Sequence, residues 1–174
     1  MSGQSENGEA PFPVAYADGV AEWPEPVRRV RDYLRMAQTD ARLEEFPQGT
    51  PTAREAAHAI GCRLEQIVKS LVFVVDGMPV IALLPGDRRA DLAKLGPTAR
   101  VAAPDEVAAW TGFEPGAVAP FPLPRIQHIL IDRRLLGQEL VWIGAGSTRH
   151  MAALAPLELM RLARARPADL SEEA

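Results

Sequence analysis

Two apolar runs joined by Asp76 and Gly77 constrain the fold of this chain more than any other feature of its sequence. The runs are LVFVV at residues 71–75 and MPVIALL at residues 78–84. An Asp-Gly pair accepts the positive φ angles of a two-residue turn, so the segment is predicted to form a β-hairpin. Because both runs are almost continuously apolar, both faces of the hairpin must be covered, which predicts a central sheet with helices packed on it.

The segments around the hairpin read as short helices and strands. The spacing of Val27, Val30 and Leu34 predicts an amphipathic first helix, whose arginines are interpreted as a solvated face. Thr52 and Glu55 form the signature of a capping box, and Gly61 ends that second helix. Further helices are predicted over 64–68, 88–95, 104–112 and from Pro156, and strands over 43–46, 100–103, 126–131, 140–143 and 151–154.

Length and composition indicate a single domain behind a short leader. The chain has 174 residues, of which 47% are hydrophobic, enough for one core without disulfide staples. Residues 1–22 are rich in Gly, Ser, Glu and Pro and show no apolar period, so they are predicted to be a mobile leader. The domain is predicted to span residues 23–170.

Charge and cysteine content limit the cellular compartments and the binding partners that this chain is expected to have. Cys62 is the single cysteine, which excludes an internal disulfide framework and favours a reducing compartment, so a cytoplasmic location is predicted. The N-terminus lacks the pattern of a signal peptide, and no apolar run approaches the roughly 20 residues of a membrane span. A formal net charge of −4 argues against a general nucleic-acid binder, so any nucleic-acid contact is expected to be small.

The common catalytic signatures are missing from the sequence. His58, His128 and His150 lie far apart, and none forms a short-spaced pair with Cys62 or a carboxylate, so no metal site is predicted. The chain also contains no G-x-S-x-G elbow, P-loop or G-x-G-x-x-G fingerprint. Neither a metal nor another cofactor is therefore expected.

Two features remain as candidates for chemistry. Lys69 places an ammonium group between apolar residues where a predicted helix meets the buried strand; it either extends to water or faces a pocket and holds an oxyanion or phosphate. The loop from Gly116 to Phe121 combines a glycine that permits close backbone approach with Pro120, which fixes the chain. Read alone, this loop is either a packed surface turn or one wall of a ligand site.

Together, these landmarks resemble the YbaK/EbsC family, the prolyl-tRNA synthetase-associated editing domains that hydrolyse mischarged aminoacyl-tRNA. The matching segments, between about residues 40 and 165, are TAREAAHAIG, QIVKSLVFVVDG, PGDRRADLAKL, TGFEPGAVAPF, the strand that ends at Asp132, and GAG before the last strand. The resemblance implies an α+β fold in which a mixed, mainly antiparallel sheet curls into a partial barrel with helices around it. It also implies a pocket for an aminoacylated 3′-adenosine.

By this resemblance the site residues are expected as follows. Lys69 and Gly116 would be catalytic, with the glycine amide near the substrate carbonyl. The substrate would be bound by Ala117, Val118, Ala119, Pro120, Phe121, Asp132, Gly146 and His150. For Asp132 a turn-capping role is the alternative, and for His150 an ordinary place in a strand.

The reaction implied is hydrolysis of the ester that joins a wrong, small amino acid to the 3′-terminal ribose of a tRNA, with tRNA(Pro) as the expected acceptor. An activated ester needs little more than a positioned water and a stabilised oxyanion. The expected partners are the aminoacylated 3′ end and an aminoacyl-tRNA synthetase. Alanine, cysteine, serine and threonine all stay open as the amino acid removed.

The loop departs from the pattern of many relatives, which carry Gly-Gly at its start and Ser or Thr before the proline. Here Ala117 and Ala119 occupy those positions, and the loss of a hydroxyl is expected to weaken discrimination of polar side chains. This departure keeps a second interpretation open. It is a non-catalytic module of the same fold that binds an aminoacyl-adenosine-like ligand or a protein.

Overall fold

A computed structural model describes residues 23–173, so the leader predicted over 1–22 lies outside the described residues. The helices are α1 (Glu25–Met36), α2 (Ala53–Ile60), α3 (Leu92–Leu95), α4 (Pro104–Thr111) and α5 (Pro156–Ala163), with 3-10 turns at Leu64–Gln66 and Arg133–Gly137. The strands are β1 (Arg42–Glu45), β2 (Ile67–Val75), β3 (Met78–Pro85), β4 (Arg100–Val101), β5 (His128–Asp132), β6 (Val141–Ser147), β7 (His150–Leu154) and β8 (Arg166–Ala168).

All the strands between residues 23 and 173 belong to one mixed sheet. Its order is β1–β7–β6–β2–β3–β5–β8, with β4 paired to β2. The pairs β1–β7, β6–β7, β2–β3 and β2–β4 are antiparallel, and β2–β6, β3–β5 and β5–β8 are parallel. The two ends of this order do not pair with each other, so the sheet is open. The predicted α+β class with a mixed, incompletely closed sheet is confirmed.

The hairpin of β2 and β3 lies in the middle of this sheet, as predicted. Asp76 and Gly77 have φ angles of 51° and 77°, the positive values that a two-residue hairpin turn requires. Val75 pairs with Met78 across the turn. Every residue of β3 after Met78 is buried, so both faces of the strand are covered. The apolar runs therefore predicted both the hairpin and its position.

The second helix begins as its sequence indicates. The Glu55 N–H donates to the Thr52 hydroxyl over 3.1 Å, and Gly61 ends the helix with φ +79°. One detail of the capping box differs. The Glu55 carboxylate accepts from the Thr52 hydroxyl, 2.8 Å away, and its predicted partner was the Thr52 backbone N–H.

Two helix predictions next to the hairpin were wrong in extent. The helix expected over 64–68 is a single 3-10 turn, because β2 already begins at Ile67 and pairs there with β6. The helix expected over 88–95 is reduced to α3, because residues 89–91 bond to the C-terminal segment. The Asp91 N–H donates to the Leu170 carbonyl over 2.8 Å, and the Glu172 N–H donates to the Arg89 carbonyl over 2.9 Å.

The remaining elements follow the predicted order with shifted ends. The strand expected over 100–103 has two residues, and the strand expected over 140–143 continues to Ser147. Sequence reasoning missed β8, whose segment contains Pro167 and no apolar run; it pairs in parallel with β5 at the edge of the sheet. No helix among residues 23–173 is long and apolar enough to cross a membrane.

Candidate active site

A cleft of about 300 Å³ opens between the start of α2 and the edges of β2, β6 and β7. We call it the Lys69 cleft. Residues 50–53 and Ala56 form one side, and residues 67–71 of β2 form its floor. Gly116 and Val118 approach from the loop, and Gly144, Ser147 and Met151 complete the lining. Lys69 is the only titratable side chain among these lining residues.

Lys69 is the third residue of β2, which begins directly after the 3-10 turn ends at Gln66. Its ammonium Nζ donates to the backbone carbonyl of Arg88. In a helix this carbonyl would accept the N–H of the residue four positions later. Residue 88 lies outside any helix, so its carbonyl is free to accept from Lys69. The C-terminal contacts of residues 89–91 therefore hold the acceptor that orients Lys69.

The electrostatic surroundings of Lys69 lower the pKa of its ammonium group. Burial lowers the pKa of the ammonium from its usual 10.5, because a half-buried charge loses hydration. The nearby carboxylate of Asp87 opposes this by raising the pKa, and the guanidinium of Arg89 lowers it further. Such a group is a strong hydrogen-bond donor while charged, since its own solvation is weak.

The loop that begins at Gly116 does not present all its residues to this cleft. Gly116 has φ +83°, and a Cβ built there would meet nothing within 4 Å, so the backbone borders open space. Val118 lines the cleft beside it, whereas Ala117 and Ala119 are buried and face neither concavity. Lys69, Gly116 and Val118 are thus the predicted site residues that the structure brings together.

Pro120 and Phe121 line a different concavity, of about 600 Å³, which we call the Tyr33 groove. Its walls come from α1, the proline-rich segment 120–124 and the end of α5. The Phe121 ring stacks on Tyr33 with centroids 5.0 Å apart, and the Tyr33 hydroxyl donates to the Leu162 carbonyl over 2.7 Å. The structure therefore separates Pro120 and Phe121 from Lys69.

Gly146 also lies outside the lining of the Lys69 cleft. A Cβ at this position would come within 2.7 Å of the Pro26 carbonyl carbon and oxygen, and φ is +95°. The missing side chain lets the first turn of α1 pack directly on β6. Gly146 is therefore placed as a packing glycine, and its neighbour Ser147 reaches the cleft.

His150 sits behind the cleft, 2% exposed, on the face of β7 opposite to Met151. Its Nδ1 lies 2.6 Å from the Ser147 Oγ, and its ring packs against that of Trp23 in a T-shaped contact with centroids 5.0 Å apart. Burial lowers the pKa of His150 below its usual 6.5, with Glu45 opposing and Arg149 adding to the shift. The ring is therefore neutral near pH 7 and reaches the cleft only through Ser147.

Asp132 does not line the cleft, although it ends β5 only two strands from β2, one residue beyond the Leu83–Ile131 pair. It is fully buried, and it accepts from the Arg134 N–H at 2.9 Å, the Leu170 N–H at 3.1 Å and the Ser171 hydroxyl at 2.7 Å. Burial raises the pKa of this carboxyl, but these hydrogen bonds outweigh it and lower the pKa overall. The turn-capping alternative describes its contacts, and it also anchors the C-terminal segment that holds residues 89–91.

Sequence reasoning missed several cleft residues. Strand alternation could have found Met151, because it points to the face opposite to that of His150. Ser70 carried no signal of its own, Gly144 was noted only as part of the matching GAG segment, and Ser147 became visible only through its contact with His150. No cluster of three or more His, Cys, Asp or Glu side chains suited to a metal ion occurs in the described part of the chain.

Comparisons with known proteins find relatives of this chain in both sequence and fold. The family model of the aminoacyl-tRNA editing domain matches residues 47–162. A crystal structure of a proposed trans-editing enzyme for prolyl tRNA synthetase superposes with a TM-score of 0.81 at 37% identity, covering 87% of this chain and 100% of that one. The hypothetical protein APE2540 superposes with a TM-score of 0.77 at 31% identity, covering 83% and 99%.

Two curated relatives bracket the chain in length. Protein YwhH of Bacillus subtilis (strain 168) is 33% identical over 138 residues, which are 76% of this chain and 88% of that protein. Proline–tRNA ligase of Nitratidesulfovibrio vulgaris (strain DP4) is 35% identical over 111 residues, 60% of this chain but only 19% of the ligase. The matched region, the Lys69 cleft within it and the shared fold lead to one conclusion: the chain belongs to the aminoacyl-tRNA editing domain family.

Proposed function

We propose that this protein is a trans-editing hydrolase that deacylates mischarged aminoacyl-tRNA. The bond cleaved is the ester between a small amino acid and the 3′-terminal ribose, with tRNA(Pro) as acceptor. The observation that carries the proposal is the donor set of the Lys69 cleft. It combines one half-buried ammonium with hydroxyl groups and an open glycine backbone, and its described lining holds no carboxylate, imidazole or thiol.

This donor set suits a reaction that needs stabilisation of negative charge more than a strong base. Water adds to the ester carbonyl carbon, the carbonyl oxygen becomes an oxyanion, and the C–O bond to the ribose then breaks as the ribose oxygen takes up a proton. The Lys69 ammonium donates to the developing oxyanion, where weak solvation strengthens its effect. Gly116 lets the substrate approach the loop backbone without a side chain in the way.

The size of the cleft supports a small aminoacyl group. Val118 and Met151 intrude from opposite elements, and Ala56 and Gly144 complete a lining of small and medium side chains. A pocket that selects by volume distinguishes substrates that differ by one methylene by only about 10- to 200-fold. The cleft is therefore expected to reject large aminoacyl groups more strongly than it discriminates among small ones.

The same proposal covers partners and location. The aminoacylated 3′ end of tRNA is the substrate, and an aminoacyl-tRNA synthetase that releases it is the second partner. Arg89 is exposed and close enough to Lys69 to lower its pKa, so its guanidinium is available to a phosphate of the bound 3′ end. A cytoplasmic location follows from that substrate.

The test is deacylation of a panel of aminoacyl-tRNAs that includes tRNA(Pro) charged with alanine, cysteine, serine or threonine. We expect turnover of at least one member and a loss of about 100-fold or more in Lys69→Ala. Gln127→Ala, in the Tyr33 groove, is the matched control and should retain wild-type rates. Binding of charged tRNA without turnover of any member would support the non-catalytic module instead.

A further inference from the structure

The hydroxyl of Ser147 makes two hydrogen-bonding contacts within the protein, one to a backbone N–H and one to a histidine ring. Ser147 lines the Lys69 cleft at the end of β6, where a two-residue turn leads into β7. Its Oγ accepts the Arg149 N–H over 3.0 Å and lies 2.6 Å from the Nδ1 of His150. A hydroxyl has one proton and two lone pairs, so these two contacts decide where its proton points.

The surroundings of His150 select its tautomer. The ring is 98% buried, and its Nε2 has no hydrogen-bond partner among the described residues. A buried N–H without an acceptor is rarer and more costly than a buried lone pair without a donor. The proton of the neutral ring therefore belongs on Nδ1, and Nδ1–H donates to the Ser147 Oγ.

With this tautomer both lone pairs of the Ser147 Oγ are occupied. One receives the Arg149 N–H and the other the His150 Nδ1–H, so the hydroxyl proton is left for an acceptor in the cleft. We propose that Ser147 donates a hydrogen bond to an oxygen of the bound substrate, and that His150 is the positioning residue that directs this donor. The proposal deepens the proposed function and rests on it.

The chemistry of the cleft indicates which substrate atom is suited to this donor. Lys69 and Ser147 would both act as donors in a lining without carboxylates, which matches an ester carbonyl that becomes an oxyanion. Ser147 also supplies a hydroxyl in a chain whose loop has Ala119 before its proline. A donor to the oxyanion affects kcat more than KM, because the bond strengthens in the transition state.

The first experiment measures deacylation kinetics of Ser147→Ala. We expect kcat to fall about 10- to 100-fold with KM changed by less than about threefold. Thr148→Ala, exposed at the tip of the same turn, is the matched control and should behave as wild type. A Ser147→Ala rate within twofold of wild type would overturn the proposal.

The second experiment tests His150 with two substitutions of different chemistry. His150→Asn keeps an N–H donor close to the position of Nδ1, whereas His150→Leu fills the space without one. We expect His150→Asn to retain several-fold more activity than His150→Leu, and His150→Leu to add little loss in the Ser147→Ala background. Equal rates for the two variants, with thermal unfolding showing both folded, would overturn the positioning role.

A third readout does not depend on turnover. Long-range ¹H–¹⁵N spectra of the histidine rings should show His150 as the Nδ1–H tautomer at pH 7, and an Nε2–H tautomer would overturn the proton arrangement. If wild type turns over no aminoacyl-tRNA, the proposed function fails, and binding of a 3′-alanylamino-3′-deoxyadenosine amide then decides the inference. Weaker binding by Ser147→Ala would support it, whereas equal binding, or no binding by wild type, would overturn it.

Discussion

The Lys69 cleft and the Tyr33 groove share one loop but differ in volume and in the polar groups that line them. Val118 faces the cleft, and Pro120 and Phe121, two and three residues later, face the groove. The groove is larger and is bordered by aromatic and proline side chains with two arginines, whereas the cleft contains a single ammonium with a lowered pKa. The comparison teaches that volume does not locate a site, because reactivity depends on weakly solvated polar groups.

The sharpest way to break this comparison is to obstruct each concavity in turn. Gly144→Val adds methyl groups to the cleft lining; a Cβ there would lie at an ordinary 3.5 Å from the Val118 carbonyl oxygen, so the strand accepts it. We expect deacylation to fall by about 100-fold or more, because the substrate carbonyl can no longer approach Lys69. Gln127→Trp in the groove should leave the rate within about twofold, and a comparable loss there would assign the reaction to the groove.

The next largest effect is expected on stability, away from both concavities. Gly146→Ala should lower the free energy of unfolding by about 2 kcal/mol, because its Cβ meets the Pro26 backbone at 2.7 Å and φ is +95°. Chemical denaturation measures the change. Gly137→Ala is the control, since a Cβ there meets nothing within 4 Å, and equal stability of the two variants would contradict the packing role of Gly146.

Gly116→Ala tests the cleft edge of the shared loop. The position has open space but φ +83°, so we expect a loss of about 1 kcal/mol from backbone strain and a several-fold drop in deacylation rate. Denaturation and kinetics measured on the same preparation separate the loss of stability from the loss of deacylation rate. An unchanged rate would mean that the loop backbone does not take part in catalysis.

The smallest effect is expected in the pH dependence of activity. In the proposed mechanism Lys69 acts in its charged form, so the enzyme-catalysed rate should be present below the Lys69 pKa and be lost as pH rises through a value lower than 10.5. Asp87→Asn removes a charge that raises this pKa and should move the alkaline limb to lower pH. Arg89→Gln removes a charge that lowers it and should move the limb to higher pH, after subtraction of uncatalysed hydrolysis. Shifts in the same direction would contradict the assignment of this limb to Lys69.

Local sequence signals predicted the parts of the fold that depend on neighbouring residues. The hairpin, the capped start of α2 and the glycines that end α2 and α4 each follow from propensities within a few positions. Sequence patterns also singled out Lys69 and the loop from Gly116, and the resemblance to the editing family suggested a catalytic role for both residues, which the structure places in one cleft. Local signals wrongly predicted the length of the helix over 88–95, because the contacts that shorten it come from residues 170 and 172.

By itself, then, the sequence determined the hairpin, the order of the elements and the two candidates Lys69 and Gly116. Only the tertiary structure decided which residues of the loop line the cleft. It also decided that Ser147 lines the cleft in contact with the buried His150, and that Asp132 holds the C-terminal segment near residues 89–91. The physical reason is the distance along the chain over which each kind of interaction acts. Backbone propensities and turn chemistry act over a few residues, whereas the lining of a cleft depends on side chains from distant strands whose direction is set only when the sheet assembles.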